Sequence, residues 1–263
     1  HIREGLNNKE LINLLSSGNQ TVVRLTFNNL RNKEEFAGNI AKQLEIDSSA
    51  ILDHILDPKF QDRLKLTDYN VGCLFIPNTY EFYWNVSVNG FIKRMLKEYN
   101  IFWNKDRKHK LEKLNKDYGI ELDRHGVSAL AAIVEKEQNI RSDERPKIAG
   151  LYLNRLRKDM KLESDPTLIF ALSDFGIKRV LNKDKKVNSL FNTYKYKGLP
   201  PGPICIPSIS SIDAVLNATK HDYIFMCAKA DGSGYHNFAR TYTQHRANAR
   251  KYQRALNKRK IMR

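Results

Sequence analysis

The sequence predicts an α+β fold, with a small N-terminal lobe and a larger lobe built around one apolar helix. Three observations carry that expectation. Helical spacing of apolar residues recurs along most of the chain. Strand-like stretches are few and short, at Thr21–Phe27, within Val71–Trp84, and as a hairpin between Tyr223 and Phe238. The 263 residues suffice for one large domain or two modest ones, and the expected division is 1–95 and 96–263.

The elements follow in chain order. Asn7 with Glu10 three positions later, then Leu11, Leu14 and Leu15 and a closing Gly18, predicts a short capped helix. β-Branched residues from Thr21 to Phe27 predict a strand. Two helices follow, one through Phe36, Ala37, Ile40, Ala41 and Leu44, the other after Asp47-Ser48 through Ile51, Leu52, Ile55 and Leu56. Val71–Trp84, aromatic with Gly72 and Pro77, suits a strand and loop against the core. From Phe91 to Trp103 lies the clearest amphipathic helix, expected to continue as a charged segment through Lys116. Val127–Gln138 is a helix of small and apolar residues ending in two glutamates. Ser142-Asp143 can cap the next helix, with Pro146 in its first turn, burying Ile148, Leu151, Tyr152 and Leu156. Pro200, Pro201, Pro203 and Pro207 make a segment with few backbone states to lose, expected as a rigid wall. A hairpin turning at Asp231–Gly234 and a helix over Thr241–Leu256 complete the chain.

Lys plus Arg number 45 against 29 Asp plus Glu, a net charge of +16. That surplus favours an anionic partner, whether nucleic acid, acidic lipid headgroups or a carboxylate-bearing polymer. The basic clusters at Lys105–Lys110 and Arg246–Arg263 are interrupted by apolar residues at helical spacing and read as solvated helix faces. Cys73, Cys205 and Cys227 form no C-x-x-C pair, so three buried thiols are expected instead of a zinc site. No apolar run approaches the ~20 residues of a membrane span. The opening at His1, without Met, suggests a piece of a longer protein whose anchor has been removed.

One position carries chemistry on periodicity alone. At 3.6 residues per turn, Leu130, Ile133, Val134 and Glu137 share a face, while Glu135 points away above Ala131. Glu137 therefore continues a buried stripe at a helix end. Apolar neighbours disfavour its charged form and raise its pKa toward what a general acid needs; the plainer alternative is a solvated glutamate. Asp165 reads as a helix cap or Asx turn. Asn192, Tyr194 and Tyr196 suit either a sugar ring or a half-buried strand. The seven histidines make no H-x-x-x-H pair, and neither a Walker loop nor a dinucleotide fingerprint is present. No metal and no cofactor are expected.

Read together, Ala132-Ile133-Val134-Glu135-Lys136-Glu137, Asn154-Arg155-Leu156, Ser164-Asp165-Pro166-Thr167, Asn192-Thr193-Tyr194, Gly198-Leu199-Pro200-Pro201-Gly202-Pro203, Asp231-Gly232-Ser233-Gly234, His236 and His245 closely resemble the endolytic murein transglycosylase family, YceG-like. The resemblance is dense from Val127 to Ala247. It is thinner over Gly72 and Leu74–Phe82, and the first ~25 residues look like the truncated end of the family's LysM-like module. Departures are Ile206-Pro207-Ser208 where the family often has Asn-Pro-Gly, His245-Arg246 for His-Asn, and an inserted Ile76.

The resemblance implies that Glu137, second of the E-K-E glutamates, is the catalytic acid, with Asp165, Asn192, Tyr194 and His236 lining the cleft. It implies peptidoglycan glycan strands as substrate, cell-wall synthases as protein partners, and no nucleic acid. It also implies an inner-membrane protein, single-pass through an N-terminal anchor, with its enzyme outside the cytoplasm. The expected reaction cleaves MurNAc-β-1,4-GlcNAc and closes a 1,6-anhydro ring, with Glu137 as single acid/base. The rivals are a hydrolytic muramidase, using Asp165 or Glu163 to support a water, and a non-catalytic binding module.

Overall fold

The computed structural model describes all residues except His1, Arg3, Asn19, Asn29, Lys178, Arg179 and 259–263, so the end of the basic run Arg246–Arg263 lies outside the described residues. Helix α1 (Asn8–Ser16) has the expected reciprocal box: Asn7 accepts from the Glu10 N–H while Glu10 accepts from the Asn7 N–H. None of its residues is buried. Strand β1 (Val22–Phe27) pairs antiparallel with β2 (Asn78–Tyr83), Val22 opposite Tyr83 and Phe27 opposite Asn78. Alternation sends Leu25, Phe27, Tyr80 and Phe82 into the core and Arg24, Thr26 and Glu81 outward.

Between the strands run α2 (Lys33–Ala41), α3 (Ser48–Leu56) and α4 (Pro58–Leu64). Helix α4 was not expected; Asp57 caps it and Pro58 opens it, where a missing N–H costs nothing. Among the described residues β1 finds its strand partner more than fifty residues away, and α1 buries none of its residues.

The long helix expected from Phe91 through Lys116 is two helices, α5 (Val88–Phe102) and α6 (Lys105–Tyr118). Asn104 breaks it: its side chain accepts from the Arg107 N–H and starts a new helix, while Trp103 is fully buried at the corner. The expected division between residues 95 and 96 passes through the middle of α5, and one buried cluster runs across it from Leu25 to Leu216.

At the centre of the larger lobe is α7 (Arg124–Glu137), packed against α8 (Arg145–Arg157), α9 (Asp165–Leu172) and α10 (Ile209–Leu216). It is buried on every side from Val127 to Glu135, not on one stripe. Ser128, Ala129, Ala131 and Ala132 are small enough to let neighbours approach all round. Ser142 and Asp143 form a 3₁₀ turn ahead of α8 without a side-chain cap, although Pro146 does sit in the first turn.

The proline-rich segment is buried from Gly202 to Pro207 and threads beside α7, with the Ile206 N–H donating to the Leu30 carbonyl at 2.8 Å. It packs as core there, and Pro203, Cys205 and Ile206 also line a cavity of about 460 Å³ that Glu137 does not border. Strand β3 (Phe225–Ala228) pairs antiparallel with β4 (His236–Ala239), Ala228 opposite His236, and α11 (Tyr242–Lys258) packs on both. Cys73 and Cys205 are buried as expected, but Cys227 is half-exposed because β3 borders a groove.

Gly202 marks a point where backbones touch: a Cβ there would lie 1.8 Å from the Tyr69 carbonyl oxygen. Gly202→Ala is expected to lower the unfolding free energy by about 1–3 kcal/mol through overpacking. A urea melt checks this, and an unchanged midpoint contradicts the close approach.

Candidate active site

Helix α7 ends at a groove of about 500 Å³. The last helical residue, Glu137, is half-buried, with its carboxyl at the floor. Gln138 terminates the helix, and its side chain ties that end down: Nε2 donates to Glu144 Oε2 at 2.7 Å and to the Gly234 carbonyl at 3.0 Å. Arg145 Nε donates to the Gln138 carbonyl at 2.9 Å, satisfying one of the orphan acceptors of the helix end.

Two hydroxyls converge on Glu137 Oε1. Tyr152 of α8 donates at 2.8 Å and Ser164 at 2.6 Å. Ser164 is fully buried, and its position is over-determined. Its N–H donates to Thr193 Oγ1 at 3.0 Å, its carbonyl accepts from Thr167 Oγ1 at 2.7 Å, and the two threonine hydroxyls share a 2.8 Å bond. Just before it, Glu163 has φ 50°, a left-handed backbone unusual for a glutamate and characteristic of constrained functional segments. Burial pushes the Glu137 pKa up; the Ser164 and Tyr152 bonds oppose this, the Asp165 charge adds to it, and His236 opposes it. Burial, followed by the Glu137 charge and bond, also drives the Tyr152 phenol far up, so it stays a donor.

Of the residues expected to line the cleft, Asp165, Tyr194 and His236 do so. Asp165 opens α9 without capping it and accepts from the Tyr194 hydroxyl at 2.5 Å; burial first, then that bond, raises the Tyr194 pKa. Lys185 Nζ lies 4.6 Å over the Tyr194 ring. Asn192 does not reach the groove. It is fully buried, Nδ2 donating to the Lys185 and Val187 carbonyls while Oδ1 accepts from the Tyr194 and Lys195 N–H groups. It shapes the loop that presents Tyr194, since every polar atom is spent on backbone. Tyr196 points elsewhere, donating to Asn188.

His236 of β4 is clamped by Glu144, its Nδ1 2.7 Å from Oε2 and its backbone N–H 2.9 Å from Oε1. The far wall is aromatic: Phe225 stacks on His245 at 5.3 Å, with Tyr242 beside them. Burial pulls the His245 pKa down, keeping that ring neutral. Arg155 is consumed by the backbone, donating to the carbonyls of Ile224, Lys161 and Leu162, and it meets Glu163 at 3.3 Å.

Sequence reasoning missed Tyr152, Ser164 and Glu144. Tyr152 looked like one more core residue, and Ser164 sat in a motif read for its aspartate. Glu135 was only noted as pointing away. It is buried, its Oε2 accepting from the Ser208 N–H and hydroxyl and the Ser211 hydroxyl at 2.7, 2.6 and 2.7 Å. It pins the chain after the proline segment to α7.

The YceG-like family model matches residues 1–251. The chain is 30% identical over 269 aligned positions to the endolytic murein transglycosylase of Bacillus subtilis, covering 96% of this chain and 71% of that one. It is 36% identical over 103 positions to the endolytic murein transglycosylase of Streptococcus pneumoniae, covering 38% of this chain but 18% of that longer protein. The crystal structure of a yceG-like protein from Listeria monocytogenes superposes with a TM-score of 0.69 at 26% identity, over 92% of this chain and 81% of that one.

The raised pKa of Glu137 carries a stability consequence. A carboxyl whose folded pKa lies above its ordinary 4.5 binds protons more tightly when folded, so stability falls as pH rises through the interval between the two values. Glu137→Gln is therefore expected to melt at a higher temperature than the parent at neutral pH, with the gain vanishing below the ordinary carboxyl value. Thermal melts across pH check this; a pH-independent difference contradicts it.

Proposed function

The chain belongs to the YceG-like family, and from that premise we propose that it is an endolytic peptidoglycan lytic transglycosylase. One observation carries the reading: a glutamate carboxyl at the floor of a groove, one oxygen held by two neutral hydroxyls and the other unbonded among the described residues.

That geometry supports a route with a single carboxyl. Burial favours the protonated carboxyl, so Glu137 gives its proton to the glycosidic oxygen between MurNAc and GlcNAc as positive charge develops at the anomeric carbon. The muramic C6 hydroxyl then bonds to that carbon, and the carboxylate takes a proton back. Because the nucleophile belongs to the same sugar, effective molarities of order 10⁵ M replace a second carboxylate. A hydrolytic muramidase requires that second carboxylate to attack or to activate water. Here the two candidates are engaged, Asp165 by Tyr194 and Glu163 by Arg155, which favours the water-free path. Phe225, Tyr242 and Tyr194 offer apolar ring faces for the glycan.

The wider setting is proposed on the family resemblance: glycan strands as substrate, synthases as partners, and extracytoplasmic action from a single-pass inner-membrane protein. Among the described residues no helix is long and apolar enough to cross a membrane. The first ~25 residues are proposed, on the same resemblance, to be the truncated end of a LysM-like module.

Purified chain acting on sacculi is expected to release fragments with anhydro ends, lighter by one water than reducing ends, by mass spectrometry. Glu137→Gln is expected to lose about 10³-fold or more in rate. Reducing ends would instead favour the muramidase, and retained lysis by the variant would remove Glu137 from the mechanism.

A further inference from the structure

Glu137 has one oxygen to offer a substrate, since Oε1 already accepts the Tyr152 and Ser164 hydroxyls. The proposed reaction moves two protons at two different atoms, one onto the leaving oxygen and one off the C6 hydroxyl. Each carboxylate oxygen accepts two hydrogen bonds, so while the leaving sugar's new hydroxyl donates to Oε2 a single acceptor position of Glu137 is left for the second proton. A separate acceptor in the groove would let ring closure proceed without waiting for the leaving sugar to depart.

The groove contains one built for that task. Glu144 is buried, accepts from Gln138 Nε2, and grips His236 twice, at the backbone N–H and at Nδ1. A carboxylate facing Nδ1 keeps the proton on that nitrogen, so the neutral ring presents Nε2 as an acceptor. No described residue bonds Nε2, and the ring lines the same groove as Glu137. Gln138, which braces Glu144, is also the residue that ends the Glu137 helix, so the two groups are fixed relative to each other.

We propose that His236 relays the second proton: Nε2 takes it from the C6 hydroxyl and returns it to Glu137. The inference rests on the transglycosylase reading and deepens it. The bond from the anomeric carbon to the leaving oxygen breaks as the Glu137 proton joins that oxygen. The bond from C6 oxygen to the anomeric carbon forms as its proton joins Nε2. The imidazolium, held beside Glu144, then protonates the Glu137 carboxylate, and both residues end as they began. Glu144 is a positioning residue that sets the tautomer and steadies the cation.

His236→Gln separates a relay from a binding contact, because the amide can hydrogen-bond a hydroxyl but cannot carry its proton. Turnover on purified glycan strands is expected to fall about 10²-fold or more with KM nearly unchanged. In His236→Ala, added imidazole is expected to restore part of the loss. Nitrogen-15 spectra of the unmodified protein are expected to show the Nδ1-protonated tautomer at His236, and Glu144→Gln to lose it together with turnover. Full turnover in His236→Gln, no rescue by imidazole, or an Nε2-protonated ring each overturns the relay. Absence of anhydro ends from the unmodified chain would instead overturn the underlying reaction, so the two failures are distinguishable.

Discussion

On the proposed mechanism the Glu137 carboxyl has to be kept dry enough to hold a proton and open enough to give it away, and the elements around it bear on both demands. Helix α7 meets the first demand by running through the core, buried on every side almost to its end. It meets the second by stopping at a groove one residue after Glu137, where Gln138 leaves helical geometry. Tyr152 and Ser164 occupy one carboxyl oxygen and so orient the other. Neither donor carries charge, so neither stabilises the carboxylate as strongly as an arginine or lysine would. Burial remains the larger influence on the proton.

The two glutamates of the E-K-E triplet illustrate how little of this depends on residue type. Glu135 and Glu137 lie two apart on one helix and point roughly 200° away from each other. Glu135 receives three donors on one oxygen, and Arg145, donating to the Ser211 hydroxyl at 3.0 Å, supplies a nearby cation. It is a structural pin between α7 and the segment that follows the prolines. Glu137 has the same side chain with two donors, both on Oε1, and it lines the groove. Placement at a groove, more than the number of donors, separates the proposed acid from the structural carboxyl.

Much of the local structure was legible because it rests on short-range rules. The Asn7 box, the alternating faces of β1 and β2, the Pro146 helix start and the hairpin at Asp231–Gly234 are each encoded within a few residues. The single buried stripe expected to end at Glu137 was not among them: α7 is buried all round from Val127 to Glu135, including the glutamate expected to point away. What escaped was non-local. Ser164 acts on Glu137 through a network closed by Thr193, 29 residues on, and Glu144 acts on His236 across 92. No spacing rule connects such positions. Asn192 was misread for the opposite reason: a polar residue beside two tyrosines suggests a ligand contact, but its amide satisfies backbone groups that a buried loop cannot leave bare.

The surplus of positive charge and the acidity of the groove act at different ranges. The net +16 belongs to the surface as a whole and draws anionic polymers in over roughly a Debye length, about 8 Å at physiological salt. Inside the groove the surplus disappears: Glu163 and Asp165 stand beside Glu137, Arg155 is spent on backbone carbonyls and Glu163, and Lys185 sits over Tyr194. A strong cation beside Glu137 would hold it ionised and remove the acid. On the proposed function, attraction of a carboxylate-bearing glycan has to come from charge kept away from Glu137, and basic residues lie along exposed helices such as α6 and α11. Added salt screens the distant, exposed charges far more than the buried Glu137 carboxyl, so on the proposed function it weakens capture of the polymer more than it alters that carboxyl.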